Sequence, residues 1–210
     1  MTNDFRMSYF MPPIAPIKDG QGRIVTPATL TPFCEVSIEQ VYEMITCNED
    51  LRILTEQVRN AEDIRTAKAS LLPYVTPCGT FTRRSSKWFV APSRLVVVDI
   101  DNLDSYEEAV EMRTTLFNDR LLRPVLTFIS PSGRGVKAFV PWYHSNITDE
   151  AECVRENMKW ALLYLVLIHG TRTFVPLGEK PKGVDLSGKD IGRSCFLSHD
   201  PGALFRTMKE

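Results

Sequence analysis

With 210 residues, 43% of them hydrophobic and 24% charged, the chain suits one large globular domain or a core with a smaller appendage, and not a disordered or fibrous class. The formal net charge of -1 excludes a globally basic nucleic-acid binder. Cys34, Cys47, Cys78, Cys153 and Cys195 are odd in number and form no Cys-x-x-Cys pair, which argues for reduced thiols, and His144, His169 and His199 lack zinc-ligand spacing. The apolar run from Trp160 to Ile168 is too short for a bilayer and no signal peptide opens the chain, so no membrane association and a cytoplasmic location are expected.

Residues 1–36 are rich in Pro, Gly and Thr and read as an extended N-terminal arm. Ser37-Ile38-Glu39-Gln40 is a capping-box pattern that predicts a helix to about Thr46. Asn48 can cap a second helix carrying Leu51, Leu54 and Val58, and Ile64, Ala67 and Leu71 suggest a third. From Arg65 to Arg94 the charges are Arg65, Lys68, Arg83, Arg84, Lys87 and Arg94, with no acidic residue among them. Pro73, Pro77 and Gly79 then break the helical pattern. A short ribbon over residues 80–90 interleaves Arg83, Arg84 and Lys87 with Phe81, Trp88 and Phe89. That mixture suits phosphates and stacked bases, and equally an edge strand with aromatics in the core.

Leu95-Val96-Val97-Val98-Asp99-Ile100-Asp101 reads as a strand buried on both faces. Alternation puts Asp99 and Asp101 on one face, roughly 7 Å apart. Side by side they repel and lose hydration, a cost that Mg²⁺ or Mn²⁺ would relieve; a strand ending in a solvated turn is the plainer alternative. Ser105 with Glu108 predicts another helix start, 124–130 and 136–140 read as strands, and Thr148 is expected to cap a long helix from about Asp149 to Ile168. A final strand runs from Arg193 to Ser198.

Two further stretches carry chemistry. Ser130-Pro131-Ser132-Gly133-Arg134-Gly135-Val136-Lys137 offers hydroxyls, backbone N–H groups and cations to a phosphate, although without Walker A spacing, and it also fits a plain hairpin turn. The stretch from Asp185 to Arg193 adds Asp185 and Asp190, either of which could complete a set with Asp99 and Asp101, with Arg193 beside them. Paired metal ligands facing cations are what a two-metal phosphoryl-transfer site needs.

Asp99-Ile100-Asp101, then Ser130, Gly133, Gly135 and Lys137, then Asp185 with Arg193, resembles the three-motif order of the archaeo-eukaryotic primase superfamily and, more closely, the VirE N-terminal domain family. The resemblance runs from roughly Ser37 to Pro201. It implies an α+β fold with an RRM-like antiparallel or mixed sheet, flanked by helices, and an additional N-terminal helical/αβ unit. One primase-like domain then spans 37–205, divided into 37–94 and a metal-binding core over 95–205, with a tail at 206–210. It implies a DNA primase or primase-polymerase of a mobile element or prophage, taking NTP or dNTP on a single-stranded DNA template, with a helicase supplied separately. It assigns Asp99, Asp101 and Asp185 to catalysis and, with Asp190 as an alternative third ligand, to Mg²⁺ or Mn²⁺. Ser130, Ser132, Gly133, Arg134, Gly135, Lys137 and Arg193 fall to the nucleotide, and Arg83, Arg84, Lys87 and Trp88 to the nucleic acid. The superfamily's second motif usually ends in His; Lys137 stands there in this chain, and a lysine can hold a phosphate as a point charge without reproducing the His geometry. A non-catalytic single-strand-binding or replication-initiator module is the competing expectation, and a sugar-nucleotide transferase using Asp-x-Asp a remoter one.

Overall fold

Helix starts are set by side chains that satisfy the backbone N–H groups of the first turn, a signal local enough to be written in the sequence. The computed structural model describes residues 5–142, 147–169, 182–186 and 190–207. Its elements in chain order are β1 (Arg6–Phe10), β2 (Ile17–Lys18), β3 (Ile24–Thr26), β4 (Cys34–Ser37), α1 (Ile38–Cys47), α2 (Glu49–Arg59), α3 (Ile64–Leu71), β5 (Tyr74–Thr76), β6 (Gly79–Phe81), β7 (Phe89–Pro92), β8 (Leu95–Asp101), α4 (Tyr106–Phe117), β9 (Leu126–Ile129), β10 (Val136–Pro141), α5 (Glu150–His169), β11 (Gly183–Val184), β12 (Cys195–Phe196) and β13 (Leu204–Phe205). Ser37 and Gln40 form the reciprocal capping box of α1. Asn48 and Asp63 cap α2 and α3, and Ser105 accepts from the Glu108 N–H at the start of α4. For α5 the cap is Asp149 rather than Thr148: its carboxylate accepts from the N–H groups of Ala151 and Glu152.

The fold is mixed α+β with antiparallel sheets and, among the described residues, five α-helices. One sheet has the order β11-β8-β10-β9-β13. Read along the chain, β8-α4-β9-β10-α5-β11 is a β-α-β-β-α-β unit with β8 and β10 at its centre. Alternation gives β8 two jobs. Val96, Val98 and Ile100 face α4 and α5, where they join Leu116, Met158, Leu162 and Leu165 in one core. Leu95 and Val97 face the other way, into a second core with Phe128, Phe139 and residues of α1 and α2. Asp99 and Asp101 continue this second face, beyond the end of its apolar part.

The second sheet, β12-β5-β1-β4, covers that face. Here the N-terminal arm departs from its expected role. Arg6–Phe10 is an internal strand, paired with β4 on one side and β5 on the other, and Phe5, Met7 and Phe10 are buried. The final strand joins this sheet too, through β12 against β5. The ribbon forms as β6 against β7, with a 3-10 turn at Ser86–Trp88 between them. Among the described residues no helix is long and apolar enough to cross a membrane. His144, the loop at 170–181 and positions 187–189 lie outside the described residues.

A buried ion pair ties the sheet to α4. Arg113 Nη1 donates to both carboxylate oxygens of Asp200, at 2.7 and 2.9 Å, and Asp200 also accepts from the Ile129 N–H at 2.8 Å. Removing one member of a buried pair strands the other's charge. Asp200→Ala should therefore lower the unfolding free energy by about 3–5 kcal/mol in urea titrations.

Candidate functional site

The site is a row drawn across three strands. Lys137 on β10 stands directly opposite Asp99 on β8, while on the other side β11 pairs Val184 with Ile100 and the Asp185 N–H donates to the Asp99 carbonyl at 2.9 Å. Residues opposed in an antiparallel ladder project to the same face, so Asp185, Asp99 and Lys137 form one line. The chain entering β12 brings Arg193 onto this line from the second sheet.

Asp99 is the centre. It is 4% exposed; its Oδ1 accepts from Lys137 Nζ at 2.7 Å and its Oδ2 from Arg193 Nη2 at 2.5 Å. The same Arg193 nitrogen donates to Asp185 Oδ2 at 2.8 Å. Burial alone would push the Asp99 carboxyl up, but Lys137 and Arg193 outweigh it and hold the group below its ordinary value. Both cations are held firmly protonated by these carboxylates against the effect of burial.

Asp101 is the opposite case. Burial raises its pKa, the Asp99 and Asp185 charges raise it further, and the attraction of Lys137 and Lys68 does not compensate. Among the described residues no side chain donates a hydrogen bond to it. Two carboxylates two positions apart thus divide into a neutralised one and a frustrated one, the kind of divergence that marks functional sites.

Gly135 has a steric reason to be glycine. A Cβ there would lie 2.6 Å from the Ile100 carbonyl, 2.9 Å from Ser130 Oγ and 3.1 Å from Asp101 Oδ1. Gly133 turns the loop at φ +75°. Most of the expected phosphate cradle is occupied within the loop itself. The Ser130 N–H donates to the Gly135 carbonyl, the Gly133 N–H to the Ser130 carbonyl, and the Arg134 N–H to Ser132 Oγ. Arg134 also spends its Nε on the Leu103 carbonyl. What the loop offers is the hydroxyl pair Ser130 and Ser132, 3.1 Å apart, near Asp101.

Asp190 is exposed, and its carboxylate accepts from the Gly192 N–H within its own turn. It is Asp185 that stands on the Asp99 row. In the ribbon, Arg83, Lys87 and Trp88 are exposed, whereas Arg84 is half-buried over the Tyr74 ring and donates to the Ile14 carbonyl, fastening the N-terminal segment. The ribbon adjoins the site, since a Cβ on Gly192 would lie 3.6 Å from the Ser86 backbone nitrogen.

Two residues of the site went unassigned in the sequence. Lys68 stands over the Phe196 ring, close enough to act on Asp101; its place in the basic run was its only signal. Cys195 lies beneath the cations, and burial pushes its thiol up to about 12, as it does that of Cys78. Among the described residues no three acidic, histidine or cysteine side chains are gathered into a set that could hold a metal. Between Asp99 and Asp185 stands Arg193.

Comparison with protein families matches residues 66–205 to the family described as BT4734-like, N-terminal domain. The chain belongs to that family. The match covers two thirds of the chain and contains every residue of the row, and it overturns the expected kinship: the family is a different one from the VirE N-terminal domain and the primases. The mobile-element setting and the separate helicase were expected through that kinship alone. No curated protein and no solved structure matches the chain.

The two aspartates should respond to pH and mutation with opposite signs. Asp99, with its pKa lowered in the fold, stabilises the protein above the ordinary carboxylate range, and that stabilisation is lost as pH falls through its depressed value. Asp101, with its pKa raised, costs stability as pH rises from the ordinary range through its elevated value. At pH 7, Asp99→Asn should destabilise by about 3–5 kcal/mol by unpairing buried cations. Asp101→Asn should stabilise by about 0.5–2 kcal/mol. Thermal midpoints measured from pH 3 to 8 check both signs.

Proposed function

We propose that the chain is a metal-dependent nucleotidyltransferase of the primase or primase-polymerase kind, joining NTP or dNTP units on a single-stranded DNA template. One observation carries the reading: a frustrated carboxylate, Asp101, lies on the same face as Asp99 and Asp185, with Lys137 and Arg193 reaching that face from two different sheets. The reading rests on this geometry and on no family kinship. We also read the β-α-β-β-α-β unit as an RRM-like sheet with an αβ unit built beside it.

In the proposed reaction a sugar hydroxyl oxygen bonds to the α-phosphorus of the incoming nucleotide. The bond from that phosphorus to the bridging oxygen breaks, pyrophosphate leaves with the electron pair, and the hydroxyl proton passes to water. The guanidinium of Arg193 and Nζ of Lys137 hold phosphate oxygens, as a fork and a point charge respectively. Ser130 and Ser132 orient the same tail through their hydroxyls. Mg²⁺ or Mn²⁺ takes hard carboxylate oxygens, so Asp99, Asp101 and Asp185 are the residues that would hold such an ion, although as they stand they are not gathered into a metal-binding set. When bound, the ion supplies charge neutralisation at the attacking and leaving oxygens.

Template contact falls to Arg83, Lys87 and Trp88, beside the turn that carries Arg193. Those exposed residues, together with the internal neutralisation of Asp99, favour a second reading: a single-strand-binding or initiator module that performs no chemistry.

Primer synthesis and extension on single-stranded DNA with Mn²⁺ and labelled nucleotides separates the two. Activity in the wild type, reduced at least about 100-fold by Asp101→Asn with the fold intact, is the expected result. Absence of product on every template, alongside salt-dependent single-strand binding that survives Asp101→Asn and falls in Arg83→Ala/Lys87→Ala, leaves the binding module.

A further inference from the structure

A second recess opens at the end of the central sheet away from the row. Val96 on β8, Val140 on β10, Trp142 just after it, Leu121 in the turn after α4, and Asn157 and Trp160 on α5 line a hollow of about 190 Å³. It lies roughly 17 Å along β8 from Asp101, on the face that packs against the helices. That volume is below the roughly 300–1,000 Å³ of pockets that enclose a whole small molecule, so the hollow takes one ring system and leaves the rest of a ligand outside. Its lining is aromatic. Trp142 is buried, and Trp160, 46% exposed, stacks on Tyr164 with ring centroids 5.8 Å apart. The Asn157 Nδ2 donates to the Cys153 carbonyl at 2.8 Å, which leaves its Oδ1 as an acceptor.

Two arginines flank the hollow in a strained backbone conformation. Arg94 and Arg123 have φ of +63° and +45°, the left-handed region that glycine or asparagine enters most readily. The Arg94 carbonyl accepts from the Trp142 N–H at 3.0 Å, and Arg123 closes the turn that carries Leu121, its N–H donating to the Asp119 carbonyl. Both residues are exposed, and among the described residues neither forms an ion pair. Two nearby acids are already engaged. Asp119, its side chain 5% exposed, accepts from the Tyr164 hydroxyl and the N–H groups of Leu121 and Leu122 and contacts His169, and Glu156 is paired with Lys159. Long cationic side chains kept at strained positions beside an aromatic hollow point to a ligand rather than to packing. We propose that the hollow seats the base of a nucleotide unit, with Arg94 and Arg123 on its phosphates. Aromatic surface and cations together are what such a unit needs, since every base has a π-face and every linkage a negative charge. β7 begins at Phe89, next to Trp88, packs against α5 and ends two residues before Arg94. The hollow therefore stands at the far end of the ribbon proposed to contact the template; it extends that contact and borrows nothing from the row.

Two probes test this on the full chain in EDTA: a labelled oligothymidylate read by fluorescence anisotropy, and dTMP read by calorimetry. Trp160→Ala should weaken the probe that fills the hollow roughly 5–150-fold, the loss of one base–aromatic stack. Arg94→Gly/Arg123→Gly should weaken it too, and for the oligonucleotide should lessen the slope of log affinity against log salt by about 1.4, or about 0.7 for each phosphate contact. The same double variant should raise the thermal midpoint of the free protein, because glycine relieves the left-handed strain; arginines serving structure alone would lower it on removal. A loss confined to the oligonucleotide assigns the hollow to a single strand, and a loss that includes dTMP assigns it to a free nucleotide as well. No binding of either probe by the wild type, or wild-type affinity for both in a folded Trp160→Ala, overturns the inference. If that variant does not fold, wild-type affinity for both probes in Arg94→Gly/Arg123→Gly overturns it instead. Absence of primer synthesis with Trp160-dependent binding intact would count against the proposed reaction alone.

Discussion

The structure turns on one buried carboxylate. Asp99 lies at the end of an apolar strand where an unpaired charge would be untenable, and it is kept ionised by a lysine on the neighbouring strand and an arginine delivered by the other sheet. Each partner depends on the others. Without Asp99 the Lys137 ammonium and the Arg193 guanidinium would be left in a poorly hydrated place. Without Arg193 the Asp99 and Asp185 carboxylates would lose the cation they share. Buried networks of this kind are rarely the cheapest way to hold a fold together, since apolar side chains of equal volume often serve as well. Their presence points to something other than stability.

The placement of the row supports that view. It sits where the apolar part of the β8 face gives out, between a β-α-β-β-α-β unit and the β12-β5-β1-β4 sheet laid against it. The family match begins at Thr66 in α3 and closes in β13, so it contains Lys68, the row and β12, but not β1 and β4. The remaining strands of the second sheet therefore come from residues before the matched region, although they complete the layer over the site. Asp101 and the hydroxyls of Ser130 and Ser132 lie at the mouth of this seam, with the ribbon of Arg83, Lys87 and Trp88 at its side.

What the sequence revealed and what it hid divides along the range of the interactions. Capping boxes are contacts within four residues, so the starts of α1, α2 and α4 were legible. The alternation in β8 placed Asp99 and Asp101 on one face for the same reason. The role of Arg6–Phe10 was not legible, because a short segment before a Pro-rich stretch becomes an internal strand only through pairing with residues 34–37 and 74–76. Arg84 looked like a phosphate ligand by composition and proves to hold the Ile14 carbonyl. The Arg113–Asp200 pair spans 87 positions and leaves no local trace. The motif order also suggested a kinship that the family match overturns, because short acidic and glycine motifs are weak signals of lineage.

Crystals of the full chain soaked with Mn²⁺ and a non-hydrolysable nucleotide, with anomalous data collected at the manganese edge, test the central claim most directly. A manganese peak on the face of Asp99, Asp101 and Asp185, with the nucleotide's phosphate tail against Lys137 and Arg193, is the expected result. Nucleotide density with no manganese on that face, or manganese bound only elsewhere, would contradict it.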